Sequence, residues 1–219
     1  MINHRLDDFE KLILLTAAVG LNVPKVDIIE GKYPLFIVER FDRIIKTGIS
    51  RIHQQDFFQA QGLTSLKKYE SDGGPSFADN YNLVKAHSSG PIPDLNQLLK
   101  WFIFNLVVGN NDSHSKNLAF LQTEEGIRLA PFYDLLSTSI YKKIGQKFAF
   151  KIGGQNLWFK LKRRHFDKLS AELGLKEDVL PKMALKILSD VGKKLPKLVE
   201  EFKERFPEVK TAATLEKEI

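Results

Sequence analysis

The stretch Gly109-Asn110-Asn111-Asp112-Ser113-His114-Ser115-Lys116-Asn117, taken with Pro131-Phe132-Tyr133-Asp134 downstream, decides how the rest of this chain is read. Between the two lie Leu118 to Gln122 and Ile127 to Ala130, short strand-like runs around the polar turn Thr123-Glu124-Glu125-Gly126, and this pattern predicts a β-hairpin. Asn117 enters the hairpin and Asp134 lies just past its exit, so its open ends should bring the two within about 5 to 10 Å of each other. Asp112 sits in the preceding loop, aimed at the same space. Read alone, Asn110-Asn111-Asp112-Ser113 is a turn that closes a helix, because Asn, Asp and Ser favour such positions. The hairpin and the second aspartate reverse that preference.

The order of the three side chains points to a chemistry. In phosphoryl transfer of the protein-kinase kind, one Asp accepts the proton of the attacking hydroxyl, an Asn five residues on holds Mg²⁺, and a later Asp holds the bridging metal. Asp112, Asn117 and Asp134 follow that order. Two oxygen ligands suit Mg²⁺, a small hard cation held by a few protein groups together with substrate phosphates.

Working outward, Leu95 to Val108 is apolar nearly all round, with Asp94 as the expected N-cap and Gly109 as the terminator. It reads as the central buried helix, a rigid support for the Asp112 loop. Upstream, a largely apolar face at positions 6, 9, 12, 13, 16 and 19 predicts an amphipathic helix from Leu6 to Val19, ended by Gly20. Val26 to Glu30 and Leu35 to Asp42 read as a strand pair around Gly31-Lys32-Tyr33-Pro34. The second strand ends Val38-Glu39-Arg40-Phe41-Asp42-Arg43. That end is either a solvated edge or a strand-to-loop junction whose backbone could hydrogen-bond a flat base. Residues 62 to 93, punctuated by Gly62, Gly73-Gly74-Pro75 and Ser88-Ser89-Gly90-Pro91-Ile92-Pro93, read as loops, with Lys68 to Pro75 as a surface turn.

Downstream, Lys142 to Arg164 carries eight basic residues and no acidic one, with Phe148, Phe150, Trp158 and Phe159 interleaved. That composition is compatible with nucleic-acid contact through Lys160, Lys162, Arg163 and Arg164. A solvated face whose aromatics turn into the core is the slightly preferred reading. His165 to Leu173, Glu177 to Ser189 and Leu195 to Phe206 read as helices, and Lys210 to Ile219 shows no packing signal.

Composition bounds the function classes. The 219 residues, 43% hydrophobic and 27% charged, are those of an ordinary globular protein with a substantial core. The longest apolar stretch, around Trp101 to Val108, is too short to span a bilayer, and no signal peptide is visible, so no membrane partner and a cytoplasmic location are expected. The absence of cysteine excludes disulfides, thiolate nucleophiles and cysteine-ligated metals. The five histidines include no helical His-x-x-x-His pair. A formal charge of +6 favours an anionic partner without choosing among nucleotide, nucleic acid and acidic protein.

With these motifs laid out, the chain resembles the C-terminal kinase lobe of HipA-type serine/threonine toxin kinases, the toxin half of bacterial HipBA toxin–antitoxin pairs. The resemblance rests on Gly20-Leu21-Asn22-Val23-Pro24, Val38 to Arg43, Gln55-Asp56, Lys68 to Pro75, Asp112-x-His114-x-Lys116-Asn117 and Pro131 to Asp134, which run in family order from about Asp8 to Phe206. It implies an α+β, mostly α-helical fold, a protein-kinase-like C-terminal lobe over residues 44 to 219. Residues 1 to 43, with their β-hairpin, would be a remnant of the N-terminal lobe. It implies ATP and Mg²⁺ as cofactors, Asp112 as the catalytic base, Asn117 and Asp134 as metal ligands, and Glu39, Arg40, Phe41, His114, Ser115, Lys116, Asn117, Tyr133 and Asp134 around the nucleotide. It further implies γ-phosphate transfer to Ser or Thr of a protein, aminoacyl-tRNA synthetases being known targets, together with a HipB-like antitoxin and operator DNA as partners. A small-molecule kinase of the aminoglycoside type shares only the Asp-x-His-x-x-Asn arrangement.

One departure stands against this agreement. A kinase needs backbone N–H groups over the phosphates and a lysine on a neighbouring strand, and the family places both upstream of the helix that opens this chain. No Gly-x-Gly-x-x-Gly precedes residue 38, and Asp7, Asp8 and Glu10 are only offset candidates for the family's helix-borne acid. The expectation is therefore half a nucleotide site, with poor turnover unless a separate N-lobe chain completes it. The alternative is a non-catalytic module that binds an antitoxin and operator DNA.

Overall fold

The computed structural model describes residues 19–29, 35–64, 67–139 and 145–205. Residues 6 to 18 of the first expected helix, the offset acids Asp7, Asp8 and Glu10, the turn Gly31 to Pro34, Lys142, Lys143 and the segment from Phe206 to Ile219 lie outside the described residues. The elements in chain order are strands β1 (Val26–Ile29), β2 (Leu35–Val38), β3 (Arg43–Ile45), β4 (Ile49–Arg51) and β5 (His53–Asp56), then helices α1 (Phe57–Ala60), α2 (Phe77–His87) and α3 (Pro91–Val107). After these come β6 (Ala119–Thr123), β7 (Gly126–Leu129), β8 (Lys147–Ile152), β9 (Gln155–Leu157), α4 (Arg163–Glu172) and α5 (Val179–Arg205). The architecture is α+β and mostly helical, with small antiparallel sheets.

Helix α3 is the organising element, as its all-round apolar character predicts. Trp101, Phe102, Ile103 and Phe104 are buried in succession, so more than one face of the helix meets protein. Phe77 stacks on Phe102 with ring centroids 3.9 Å apart, Trp101 packs on Phe132, and Phe150 meets Phe77 and Trp101 edge-on. The helix begins three residues before the expected N-cap, at Pro91, where the missing proline N–H would have had no helical partner. Asp94 instead sits buried in the first turn, accepting hydrogen bonds from Ser88 Oγ (2.6 Å), the Arg128 guanidinium (2.9 and 3.2 Å) and Leu129 N (3.0 Å). That carboxylate ties the start of α3 to β7.

The predicted hairpin forms as β6 and β7, within one residue of the expected bounds at all four ends. Its unread neighbour is β5, which pairs antiparallel with β6 (Gln55 opposite Phe120, Asp56 opposite Ala119) and makes a three-stranded sheet. Asp56 then caps α1 reciprocally with Gln59.

Three readings are corrected. Residues 62 to 93 are not loop throughout, because Phe77–His87 is a helix: Ser76 and Asp79 form a reciprocal capping box, and the glycines and prolines lie on either side of the element. The four downstream aromatics divide: Phe148 and Phe150 are buried in β8, while Trp158 and Phe159 are 59% and 54% exposed. The two helices expected beyond residue 177 are one, α5, which continues through Pro196 because a single stripe of Leu180, Ile187, Val191, Leu195, Val199 and Phe202 stays buried along its length. Among the described residues, no helix is long and apolar enough to cross a membrane.

Candidate active site

The site begins where α3 ends. Gly109 takes a left-handed conformation (φ 67°), and its carbonyl accepts hydrogen bonds from Thr138 N, Ser139 N and Thr138 Oγ1 at 3.0 to 3.1 Å. A Cβ on Gly109 would lie 2.3 Å from Ser139 Oγ, so only glycine fits. This exit locks the Asp112 loop against the chain just past Asp134. The Asn residues that suggest a turn serve the same end: buried Asn110 donates to Asn105 Oδ1 (2.7 Å) and accepts from Asp112 N (3.2 Å), and Asn111 N donates to Thr138 Oγ1 (2.7 Å).

Asp112 is held from a distance in sequence. Lys68 Nζ (3.0 Å) and the Tyr69 hydroxyl (2.5 Å) both donate to its Oδ1, and His114 Nε2 stands 3.7 Å from the same oxygen. Among the described residues Oδ2 accepts no hydrogen bond. Burial alone would raise the Asp112 carboxyl, but donation from Tyr69 and Lys68 and the nearby His114 and Lys68 charges outweigh it, and the group stays below the ordinary range. His114 is buried, and that burial pushes its imidazole below its ordinary value and toward the neutral form.

Asn117 and Asp134 meet as the hairpin predicts. Asn117 closes a 3-10 turn (Ser115–Asn117), accepts from His114 N at Oδ1 (2.9 Å) and donates from Nδ2 to Asp134 Oδ2 (2.7 Å). Asp134 is the one non-glycine residue with positive φ (56°) among the described residues, a conformation that Asp tolerates better than most and that concentrates at functional sites. Its carboxyl titrates above the ordinary range, first because of the protein packed around it and then because of repulsion from Asp112. The two carboxylates therefore share one electrostatic environment, with His114 and Lys68 felt by both.

The remaining residues implied to surround the nucleotide separate. Tyr133 donates to Lys116 O (2.8 Å), stacks on Phe41 with centroids 6.1 Å apart, and is pushed up to about 12, first by burial. Glu39 pairs with Lys25 (3.4 Å) at the surface, and Arg40 grips Asp42 with two hydrogen bonds (2.7 and 2.8 Å), so of these three only Phe41 reaches the Tyr133–Asp134 segment. Ser115 is fully buried and accepts from Asn80 Nδ2 (2.8 Å), which turns its hydroxyl inward. Lys116 extends its ammonium over the Phe58 ring at 5.6 Å. Of the basic group, Arg163 pairs with Asp167 (2.8 Å), Lys160 lies 6.0 Å from the Phe159 ring, and neither they, Lys162 nor Arg164 hydrogen-bonds to Asp112, Asn117 or Asp134.

Among the described residues, no three or more His, Asp or Glu side chains gather as a self-sufficient metal site. Asn117 and Asp134 nevertheless fit a cation that brings its own phosphate ligands: Asp134 Oδ1 accepts no hydrogen bond among the described residues, and a positive ion would offset the burial, and after it the repulsion from Asp112, that raise this carboxyl. Lys68, Tyr69 and Asn80 escaped the sequence reading of the site. The available signal was Lys68 to Pro75 among the family-ordered segments, but nothing local to it says that it folds back onto a residue more than forty positions later.

Y4mE of Sinorhizobium fredii is 45% identical over 143 residues, 64% of this chain, and the serine/threonine-protein kinase toxin HipA of Shewanella oneidensis is 36% identical over 153 residues, 63% of this chain. These alignments take in 34% and 35% of those proteins, so the chain spans about a third of the length of the curated relatives it matches. A solved complex of Shewanella oneidensis MR-1 HipA, HipB and operator DNA matches the whole chain and 55% of its counterpart at a TM-score of 0.85 and 26% identity. The Helicobacter pylori proinflammatory kinase CtkA shares the fold alone, at a TM-score of 0.53 and 12% identity. The family model described as the HipA-like C-terminal domain covers residues 4–199, and the chain belongs to that family.

Proposed function

We propose that this chain is the catalytic lobe of a HipA-type serine/threonine kinase, moving the γ-phosphate of ATP to a protein hydroxyl. Residues 1 to 43 then belong to the N-terminal lobe and 44 to 219 to the C-terminal lobe. The observation that carries the reading is the 2.7 Å hydrogen bond between Asn117 and Asp134, joined electrostatically to Asp112, which gives three kinase-ordered side chains one common site. The substrate oxygen attacks the γ-phosphorus, its proton passes toward Asp112 Oδ2, and ADP departs with the electrons of the broken P–O bond. Asp112 orients the hydroxyl and receives the proton, while Asn117 and Asp134 are the residues that would hold Mg²⁺. Bound there, Mg²⁺ would offset the charge of the phosphates. The Phe41–Tyr133 stack offers an apolar flank for the base, and His114, 3.7 Å from Asp112 Oδ1, is the side chain of the His114–Lys116 run that stands next to the reacting groups. The phosphate loop and strand lysine would come from an N-lobe outside these residues. The protein substrate, on the family's pattern, is an aminoacyl-tRNA synthetase.

The test is transfer from γ-labelled ATP by this chain together with the N-lobe that completes it. Asp112→Asn should lower transfer by about 10² to 10⁴-fold. Asp134→Asn should abolish Mg²⁺-dependent nucleotide binding in calorimetry. Unchanged transfer by Asp112→Asn would remove Asp112 from the role of base.

A second reading, contact with an antitoxin and operator DNA, is favoured by one observation: Trp158 and Phe159 are exposed next to Lys160, Lys162 and Arg164. In a complex with a HipB-like antitoxin, replacing Lys162, Arg163 and Arg164 by Ala should flatten the salt dependence of operator binding by about 2 to 3 in slope. An unchanged slope would remove this surface from DNA contact.

A further inference from the structure

Lys68 and Tyr69 lie in a segment with no role in the reaction as derived above, yet both converge on the acidic group at its centre. The backbone explains how they arrive there. Tyr69 O accepts from Asp72 N (3.0 Å) and Gly74 N (2.9 Å), and Gly73 takes a left-handed conformation (φ 87°). A Cβ on Gly74 would fall 2.3 Å from Lys67 O, so this compact turn requires glycine. Glu70 then anchors the turn by accepting from Lys151 N (2.7 Å) in β8. The segment is therefore built into the fold, and it delivers two donors to one oxygen of one carboxylate. Both bonds fall on Oδ1, and Lys68 Nζ also lies 4.6 Å from the Tyr69 ring centroid.

We propose that Tyr69 and Lys68 are positioning residues for phosphoryl transfer: by occupying Oδ1 of Asp112 they fix its rotamer and leave Oδ2 to meet the substrate hydroxyl. The inference rests on the kinase reading of Asp112. Tyr69 supplies a short neutral donor and Lys68 a charged one, and together they keep the carboxylate ionised beside the like charge of Asp134. The charged and titratable groups around Asp112 are Lys68, Tyr69, His114 and Asp134. Neither donor forms a bond to substrate in this scheme; Tyr69 is neutral and acts on Asp112 alone, so its removal falls on the chemical step and leaves nucleotide affinity alone, whereas the Lys68 charge is also felt by Asp134.

Two measurements test the clamp and the function separately. In the first, the phenol of Tyr69 is titrated by ¹³C NMR of tyrosine-labelled protein, without any nucleotide. It should ionise above an ordinary tyrosine and fall back toward the ordinary value in Asp112→Asn, because the carboxylate charge no longer opposes the phenolate. No difference between the two proteins overturns the clamp. In the second, Tyr69→Phe and Lys68→Met are assayed in the lobe-completed kinase. Each should lower kcat by about ten-fold or more, Tyr69→Phe with an unchanged KM for ATP, and Tyr69→Phe should move the acidic limb of the pH–rate profile to higher pH, since a lost donor makes Asp112 easier to protonate. Lys68→Arg should recover part of the loss. Equal losses in KM and kcat, or an acidic limb that stays put, overturn the positioning role. A moved phenol titration combined with transfer that survives Asp112→Asn would leave the clamp standing and defeat the kinase reading of Asp112 instead.

Discussion

Asp42 shows what a single side chain contributes when its partners are well placed. It is buried, receives two hydrogen bonds from Arg40 and a third from Arg43 (2.5 Å), and its carboxyl is lowered to about 2, chiefly by Arg40. A depressed carboxyl stabilises the fold above its unfolded value, near 4, and that contribution is lost as the pH falls through about 2. Arg40 is itself largely exposed, so solvent screens the pair. Asp42→Asn should therefore lower unfolding free energy at pH 7 by about 1 to 2 kcal/mol in urea titrations, with the gap from the parent closing between about pH 4 and pH 2. A gap that persists at low pH would assign the loss to packing. The same residue redirects the Glu39-Arg40-Phe41 segment: by engaging Arg40 it turns that guanidinium away from the site, and Phe41 is left as the residue that touches Tyr133.

Among the elements, the exit of α3 carries the heaviest constraint. Gly109 combines a positive φ with a close approach to Ser139 and three hydrogen bonds to its carbonyl, and it fixes both the Asp112 loop and the chain leaving Asp134. Gly109→Ala should destabilise the protein by about 1 to 3 kcal/mol in chemical denaturation. It should also weaken Mg²⁺-nucleotide binding, because the two halves of the site would no longer share one hinge. Full stability in this variant would show that the exit relaxes freely. Helix α5 illustrates the opposite balance. Pro196 lacks the N–H that would bond one turn back, yet the buried stripe from Leu180 to Phe202 runs past it and the helix continues. Apolar burial along that stripe outweighs one missing hydrogen bond, which is why the packing makes one helix where two were expected.

At the scale of the whole molecule, burial on α3 rather than surface aromatic content sets stability. Phe104 is fully buried and Trp158 is 59% exposed, although both are large and apolar. Phe104→Ala should cost about 3 to 5 kcal/mol and Trp158→Ala less than about 0.5 kcal/mol, measured as urea midpoints with equal slopes. A large loss at Trp158 would mean that its ring is covered in solution. What was legible in the sequence was local or periodic: the apolar α3, the β6–β7 hairpin and the order of Asp112, Asn117 and Asp134, each specified by residues within a few turns of chain. The meeting of Asn117 with Asp134 followed from a hairpin alone, so it too could be read. The helix α2 was legible in principle through Ser76 and Asp79, but neighbouring glycines and prolines masked it. Strand β5, the convergence of Lys68 and Tyr69 on Asp112, and the inward turn of Ser115 toward Asn80 had no local signature. Sequence by itself determined which residues could form a phosphoryl-transfer site, because side-chain chemistry and short spacing are properties of the chain. Tertiary structure decided which oxygen of Asp112 is occupied and which is left without a donor, because that depends on two donors more than forty residues away being folded onto it.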